Sequence, residues 1–541
     1  MTRADTDSAD VAPAALLTTG EPPGQAGRRM AIFCCLVALA LSAALAALST
    51  GVHHDDDLTH FLFAKWTRQD PAYLLNEWGR PGFTVLYALP AQIGWLAARL
   101  TSGVLTVLAA WLAYRTAEQM ELRRAWLVAP LVLIQPMFLQ LSYTTLTETP
   151  LALYLALAVW LLTQRRYGGS AAVLSLALLT RHEAVVWLPV WAMAFWLGRA
   201  RWTCYLWLFW APLLHNLLGP FVLGHAPIMM FFEPKANPEY GTGSALAMIA
   251  RAQLAFGPGM ASLACLGIPM ICRRRWGWVV AGAVVVYFLF HAGCRFLGLY
   301  ATGGYARFLV PICPMLGILA VAAINGLSEW RTPRWWLRAA GVTTAFVVLW
   351  LAGEREMPWW IYPPFVLAHR LVTAGVVLLT AAAIFICLKR PRLAWVRWSI
   401  PFTLITLTAI QTGYLSRPWK LSDDQRAVRS VAEWLKANGY GGRQVMATHV
   451  WMHVFWPAHL IPDNWNIKRR LTEAPAGTLF VWDKNYSPSF HQKMHLADYL
   501  KDPNYRLLTK NRSTRDVFCC AFEKRPPQAT SAASRQSAPQ P

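Results

Sequence analysis

The chain has 541 residues, of which 56% are hydrophobic and only 14% charged, and it carries a formal net charge of +22. That balance excludes an ordinary soluble globular chain and points to a polytopic membrane protein. The positive charge does not describe a nucleic-acid face, because the basic residues fall in short clusters between apolar runs.

Residues 1–27, rich in Ala, Pro, Gly, Asp and Thr, predict a disordered cytoplasmic N-terminus, and residues 525–541 a disordered tail. Arg28 and Arg29 precede an apolar run at 30–49 that is longer than a secretory signal core, so a retained first helix is expected. Further runs at 126–142, 147–163, 277–294, 305–323, 365–387 and 399–415 are long enough to cross, or nearly cross, a hydrocarbon core. Between them lie Arg115/Arg123/Arg124, Arg165/Arg166, Arg199/Arg201, Arg273–Arg275, Arg331/Arg334/Arg338 and Lys389/Arg390/Arg392/Arg397, which the positive-inside rule assigns to the cytoplasmic side. The segment 81–97 contains Pro90 and would break this alternation if it spanned, so it is read as an interfacial or re-entrant helix and 100–114 as the true span. Segments 170–180 and 184–197 are short and are expected to be broken helices lining a cavity. The sum is about thirteen spans, with the N-terminus inside and everything after 416 outside.

The ten cysteines show no CxxC pair or metal-ligand spacing. Most, including Cys34, Cys35, Cys265, Cys294, Cys313 and Cys387, lie in apolar segments and read as small core residues. After 416 the pattern changes. Ser422 with Gln425 three residues on, an acidic first turn at Asp423/Asp424, an apolar stripe at Val428, Val431 and Leu435, and Gly439 as a stop predict a soluble amphipathic helix. Strands are expected at 444–448, 478–482 and 516–522. The predicted organisation is a transmembrane domain over 28–415, with 51–80 its first outer loop, and a small exoplasmic α/β domain over 416–524.

Candidate chemistry begins with Asp55, Asp56 and Asp57 in "TGVHHDDDLTHFLFAKW", directly after the first apolar run. Three roles fit carboxylates there: general base, metal ligand, or stabiliser of the N-terminus of the helix that follows. As ligands, His53, His54, Asp55, Asp57 and His60 would suit a divalent ion, with magnesium or manganese favoured by the carboxylates and zinc by the histidines. Arg80, at the end of the same loop, offers a planar fork of donors to a phosphate. Glu148 sits in an outer turn, with Thr149 expected as N-cap and Pro150 as the first helical residue. Arg181, His182 and Glu183 interrupt an apolar stretch, where ionisable groups face a cavity or pair with one another. Tyr305 and Arg307 follow Gly303 and Gly304 at the outer start of a span, where an anionic lipid headgroup or an ordinary loop-to-helix junction accounts for them; Lys235 lies in the turn-rich loop 224–244, read as a cover for a lipid-facing groove or as a plain connector. Patterns for nucleotide-driven chemistry are absent.

In their order these features resemble the GT-C superfamily of membrane glycosyltransferases, which includes the protein O-mannosyltransferases and the bacterial aminoarabinose and arabinosyl transferases. The resemblance rests on "DDDLTHFLFAK" with Phe63, Ala64 and Lys65, on "RPGFTVLY", on "LSYTTLTETPLALYLAL", on "LTRHEAVVWLP" and on "YARFLVPICP", and covers roughly 30–325. It implies a GT-C-like helical membrane domain, a sugar donor carried on a polyprenyl phosphate, inverting transfer to an exoplasmic glycan, lipid or protein acceptor, and a bacterial inner-membrane location. It also implies a catalytic aspartate at Asp55 or Asp56, with Glu148, Arg181, Glu183 and Arg307 near the cavity. Arg80, Lys235 and Arg307 are the candidates to meet the charge of the departing lipid phosphate. Two other classes stay open on residues alone: a secondary transporter or lipid flippase, and a catalytically inactive envelope scaffold.

Overall fold

A computed structural model of the chain describes residues 25–228, 242–299, 304–329, 394–456, 467–489, 492–514 and 516–526, with isolated positions between 371 and 382. Lys235, Cys387, the apolar run 365–387, the basic clusters around 331–338 and 389–392, and most of both predicted disordered ends lie outside the described residues. Two compact units emerge, one of residues 1–46 and 74–417, the other of residues 47–73 and 418–541.

The first unit is helical, and its interior is one apolar cluster that runs from Ala31 to Leu404. Four of its helical segments are long and apolar enough to cross a membrane among the described residues: Gln25–Leu48, Trp95–Gln119, Gly277–Leu297 and Ala306–Gly326. The pair Ala247–Phe256 and Pro258–Ile271 would make a fifth if its 105° bend belongs to one span. Gly257, at φ +81°, makes that bend, and a side chain there would collide with Thr408.

Several runs that read as continuous are broken. The run at 126–142 divides into Val128–Leu133 and Pro136–Leu141, because a residue ahead of proline is pushed out of the helical region and Gln135 is extended. The freed polar groups are met from elsewhere: Gln135 Nε2 donates to the Cys313 carbonyl at 2.9 Å, and Thr412 Oγ1 donates to the Ile134 carbonyl. Pro81–Ile93 is a 13-residue helix that ends at Gly94, and the next helix starts at Trp95, five residues before the expected span. The pair predicted at 170–180 and 184–197 appears as Tyr167–Thr180 and, after a 3-10 turn at His182–Trp187, as Leu188–Leu197. The described cysteines are all free.

In the second unit Asp423–Ala437 forms as its sequence requires, with a Ser422/Gln425 capping box and Gly439 at φ +83° beyond its end. A four-stranded sheet follows in the order β1-β2-β4-β3, with β1 Val445–Ala447, β2 Leu479–Asp483, β3 Tyr505–Arg512 and β4 Phe518–Lys524. β1 and β2 are parallel, in register Met446↔Phe480, and β2–β4 and β4–β3 are antiparallel. β2 is buried along its whole length, because helices cover both faces. Phe480, Trp482, Cys520 and Phe522 point to the face packed with Ile467, Leu471 and Tyr499, while Val428, Val431 and Leu435 are buried on Asp423–Ala437, which packs on β3 and β4. The sheet gains an unpredicted strand, β3. Its "YRLLTKNR" has no buried residue and is rich in basic residues, the composition that blunts an edge strand and hides it from a hydrophobic-alternation reading.

Candidate functional site

In the first unit, the ionisable residues that interrupt apolar sequence converge. Tyr167–Thr180 ends where Arg181 turns extended, at φ −153°, so that Arg181, His182 and Glu183 leave the helix together. Arg181 Nη1 donates to Glu148 Oε1 and its Nη2 to Glu183 Oε1, both at 2.8 Å, and Nη1 also reaches Thr147 Oγ1 at 3.2 Å. Arg307 Nε stands 3.6 Å from the same Glu148 oxygen. Arg181 lies over the Phe308 ring, and Arg307 over the rings of Tyr305 and Phe308. Glu148 is fully buried at the start of Glu148–Thr163, where the helix N-terminus favours a carboxylate. The expected cap is corrected by two residues: Thr147, not Thr149, precedes the helix, because its carbonyl already accepts the Leu151 N–H at 3.2 Å. Pro150 then takes the third helical position, where no N–H is required.

Arg80 joins this cluster through backbone packing. Gly82 lets Pro81–Ile93 approach Tyr167–Thr180 so closely that a Cβ on it would stand 2.2 Å from Thr180 Oγ1, and Tyr154 Oη donates to the Gly82 carbonyl at 2.8 Å. That contact brings Arg80 Nη1 to 3.2 Å from His182 Nδ1. Arg80 has φ +61° directly before Pro81, a conformation costing of order 1–3 kcal/mol that persists only where the surroundings impose it, as at ligand clamps. Arg80, Glu148, Arg181, His182, Glu183, Tyr305 and Arg307 therefore share one neighbourhood of mixed charge in which arginine predominates.

The aspartate stretch is organised within the second unit. Asp55–Trp66 is a helix whose first turn holds all three aspartates, capped by extended His54, which accepts from the Asp56 N–H at 3.2 Å. The three differ sharply in surroundings. Asp57 is fully buried, and Asp56 is half-buried, with its backbone N–H capped by His54. Asp55, also half-buried, accepts hydrogen bonds from Gln425 Nε2 at 3.0 Å and Trp451 Nε1 at 2.9 Å on one oxygen, and from Tyr486 Oη at 2.5 Å on the other. Burial of Tyr486, together with the negative charge of Asp55 whose carboxylate its hydroxyl meets, pushes the phenol well above its usual range, so it stays a donor.

Behind Asp55 lies a second carboxylate and a histidine. His449 is wholly buried, with Nε2 3.4 Å from Asp424 Oδ2 and its ring 4.9 Å from that of Tyr486. Burial disfavours the charged ring, but the Asp424 hydrogen bond and the charges of Asp55 and Asp483 outweigh burial and push His449 up to about 9. Asp424 is correspondingly held well below the usual carboxylate range: burial opposes its ionised form, and the hydrogen bonds from His449 and Ser422 prevail.

Among the described residues, the His, Cys, Asp and Glu side chains whose ligand atoms all lie within 4.8 Å of one another are Asp55, Asp424 and His449. Of the metal-ligand candidates read from the sequence, this group contains only Asp55; His53 stacks edge-on with Trp419, His54 caps its own helix, and His60 is buried. The donor chemistry does not fit a divalent ion well. Both Asp55 oxygens already accept hydrogen bonds from neutral donors, and His449 Nε2 is engaged with Asp424 Oδ2 at 3.4 Å.

Asp424, His449, Trp451 and Tyr486 were not legible as site residues. The available signal is positional: "THVW" follows β1 and "DKNYS" follows β2, so polar side chains cluster at the carboxyl ends of two adjacent parallel strands, where open α/β sheets bind ligands. Asp483 builds the turn, its Oδ1 accepting the N–H groups of Asn485 and Tyr486 at 3.0 and 2.7 Å, and Thr448 Oγ1 ties the two strand ends together through Asp483 Oδ2 at 2.5 Å.

No protein-family model matches the chain, and no curated protein matches it in sequence. Its fold is nevertheless found among solved structures. ArnT from Cupriavidus metallidurans bound to undecaprenyl phosphate superposes with a TM-score of 0.57 at 14% identity, over 94% of this chain and 99% of that one. The apo state of that protein gives 0.54 at 13% identity, over 92% and 98%. The chain thus has an ArnT-like fold, in agreement at fold level with the resemblance carried by its motifs.

Proposed function

We propose that this chain, built on the ArnT-like fold, is an integral-membrane glycosyltransferase that moves a sugar from a polyprenyl-phosphate donor to an exoplasmic acceptor, with inversion at the anomeric carbon. The solved relative binds undecaprenyl phosphate, which supports a polyprenyl-phosphate lipid as the carrier here. We place it in a bacterial inner membrane, as the family resemblance implies, and the charge alternation along the sequence supports a cytoplasmic N-terminus and an exoplasmic C-terminal α/β segment.

The observation that carries the assignment is the treatment of Asp55. Its carboxylate is held by three side chains distant in sequence, yet it stays only half-buried. A general base needs a fixed orientation and a free lone pair toward its proton source. In the proposed reaction the acceptor hydroxyl attacks the anomeric carbon, the C–O bond to the lipid phosphate breaks, and the hydroxyl proton passes to Asp55. The leaving phosphate needs positive charge, the task we assign to Arg80, to Arg307 with Tyr305 beside it, and to Lys235 from the sequence. Arg181 is engaged by both Glu148 and Glu183, so its role is to set the geometry of this cluster.

The test is Asp55→Asn, an isosteric loss of basicity. Membranes from a deletion strain, which retain lipid-linked sugars and their acceptors, should regain transfer with the parent protein and not with Asp55→Asn at equal expression, as read by mass spectrometry of envelope glycans and lipid-linked sugars. Full transfer by Asp55→Asn at equal expression would sink the assignment of Asp55 as the base.

A further inference from the structure

We infer that Tyr486, Trp451 and Gln425 are positioning residues for the proposed transfer: the C-terminal segment fixes the carboxylate of Asp55 and thereby sets the competence of the base. The inference rests on the reading of Asp55 as that base.

The three donors come from three separate elements, and each is itself immobilised. Gln425 occupies the third position of Asp423–Ala437, where its Oε1 accepts the Ser422 N–H at 3.1 Å. The capping box therefore decides which end of the amide faces outward and aims Nε2 at Asp55. Trp451 leads the short helix Met452–Phe455; its side chain is 1% exposed and its ring stacks on Phe455. Tyr486 stands on the turn ordered by Asp483, its ring edge against His449. These groups lie 370, 396 and 431 residues from Asp55 in the chain. A carboxylate that only stabilised the start of its own helix would not draw partners from three remote elements.

The division of labour follows from lone pairs. Gln425 and Trp451 occupy Oδ1, whereas Oδ2 accepts only Tyr486 in the described contacts, which leaves Oδ2 the oxygen to receive the acceptor proton. Because the Tyr486 phenol remains protonated at any working pH, it donates before and after transfer and holds Oδ2 in one direction. Misplacement of a catalytic group by about 1 Å can cost on the order of a hundred-fold in rate. Loss of a single donor is therefore expected to lower turnover roughly ten- to a hundred-fold, without touching donor binding.

The experiment compares Tyr486→Phe, Trp451→Phe and Asp55→Asn in the full-length protein, purified in detergent and added to deletion-strain membranes that hold their own lipid-linked sugar. Turnover per folded protein and the half-saturating donor concentration are read together. The expected result for Tyr486→Phe is reduced turnover per folded protein with an unchanged half-saturation, since a misaligned base slows the chemical step without weakening donor binding. A purely structural role would lower the amount of folded protein and leave turnover per folded protein at the parent level, and that pattern overturns the inference. Parent-like turnover in both aromatic variants with Asp55→Asn inactive also overturns it, while sparing Asp55 as base. An active Asp55→Asn overturns both readings.

Discussion

Arg181 provides the most quantitative test of the first unit. Its guanidinium is bonded at 2.8 Å to each of Glu148 and Glu183, and the side chains of the three residues are 11%, 1% and 18% exposed. Arg181→Met removes the shared cation and leaves two carboxylates with little access to water. Breaking a buried pair by deleting one partner costs about 3–5 kcal/mol, because the surviving charge is uncompensated. Two orphans would push toward the upper end, but Arg307, 3.6 Å from Glu148, retains part of the compensation on one side. The net expectation is a loss of about 3–4 kcal/mol.

Arg181→Lys keeps the charge but replaces a two-pronged fork with a point charge that cannot meet both carboxylates in the same geometry, so it should fall between parent and Met. The measurement is thermal and denaturant unfolding of the detergent-solubilised full chain, with midpoints ordered Met, Lys, parent. The double variant Arg181→Met/Glu183→Gln should be more stable than Arg181→Met alone, since one orphan charge is gone. If Arg181→Met stays within about 0.5 kcal/mol of parent, the range of a neutral surface change, the cluster is solvated and the argument from burial fails.

Two further outcomes follow from the geometry. His449, raised from 6.5 to about 9, contributes stability that is complete below about pH 6.5 and is lost as pH rises through 9; Asp424, lowered from 3.8, contributes above that value and loses it as pH falls. The unfolding midpoint of the parent should therefore decline between pH 6.5 and 9, and His449→Gln should flatten that decline; an identical slope in both proteins would contradict the assignment of charge to His449. Gly82→Ala should destabilise the full chain and lower transfer activity together, because its Cβ would stand 2.2 Å from Thr180 Oγ1 and 2.7 Å from the Leu176 carbonyl, and overpacking of this kind costs about 1–3 kcal/mol. Parent-like unfolding midpoints for Gly82→Ala would show that the two helices separate without penalty.

The sequence by itself determined what depends on local periodicity and composition. The apolar runs predicted helices, and the capping box at Ser422 and Gln425 predicted the start of Asp423–Ala437, because a cap is a contact among residues three apart. It also singled out Asp55, Arg80, Glu148, Arg181 and Glu183, since ionised groups beside or within apolar sequence are conspicuous wherever they occur. Which charges meet was not legible. The pairing of Glu148 with Arg181 depends on Glu148–Thr163 packing against Tyr167–Thr180, and the approach of Arg80 to His182 depends on a glycine that looks like any other. Breaks within runs, as at Gln135, are decided by partners on other helices that satisfy the freed backbone.

The different surroundings of the three adjacent aspartates belong to the tertiary structure. The motif resemblance sets Asp55 and Asp56 apart from Asp57 but not from each other; in the fold the helix turns each by about 100° from the last, so one is buried, one has its backbone N–H capped by His54, and one meets Gln425, Trp451 and Tyr486. Those donors come from a segment that begins more than 360 residues later in the chain, and their convergence depends on the parallel register of β1 and β2, a long-range pairing that no local pattern encodes.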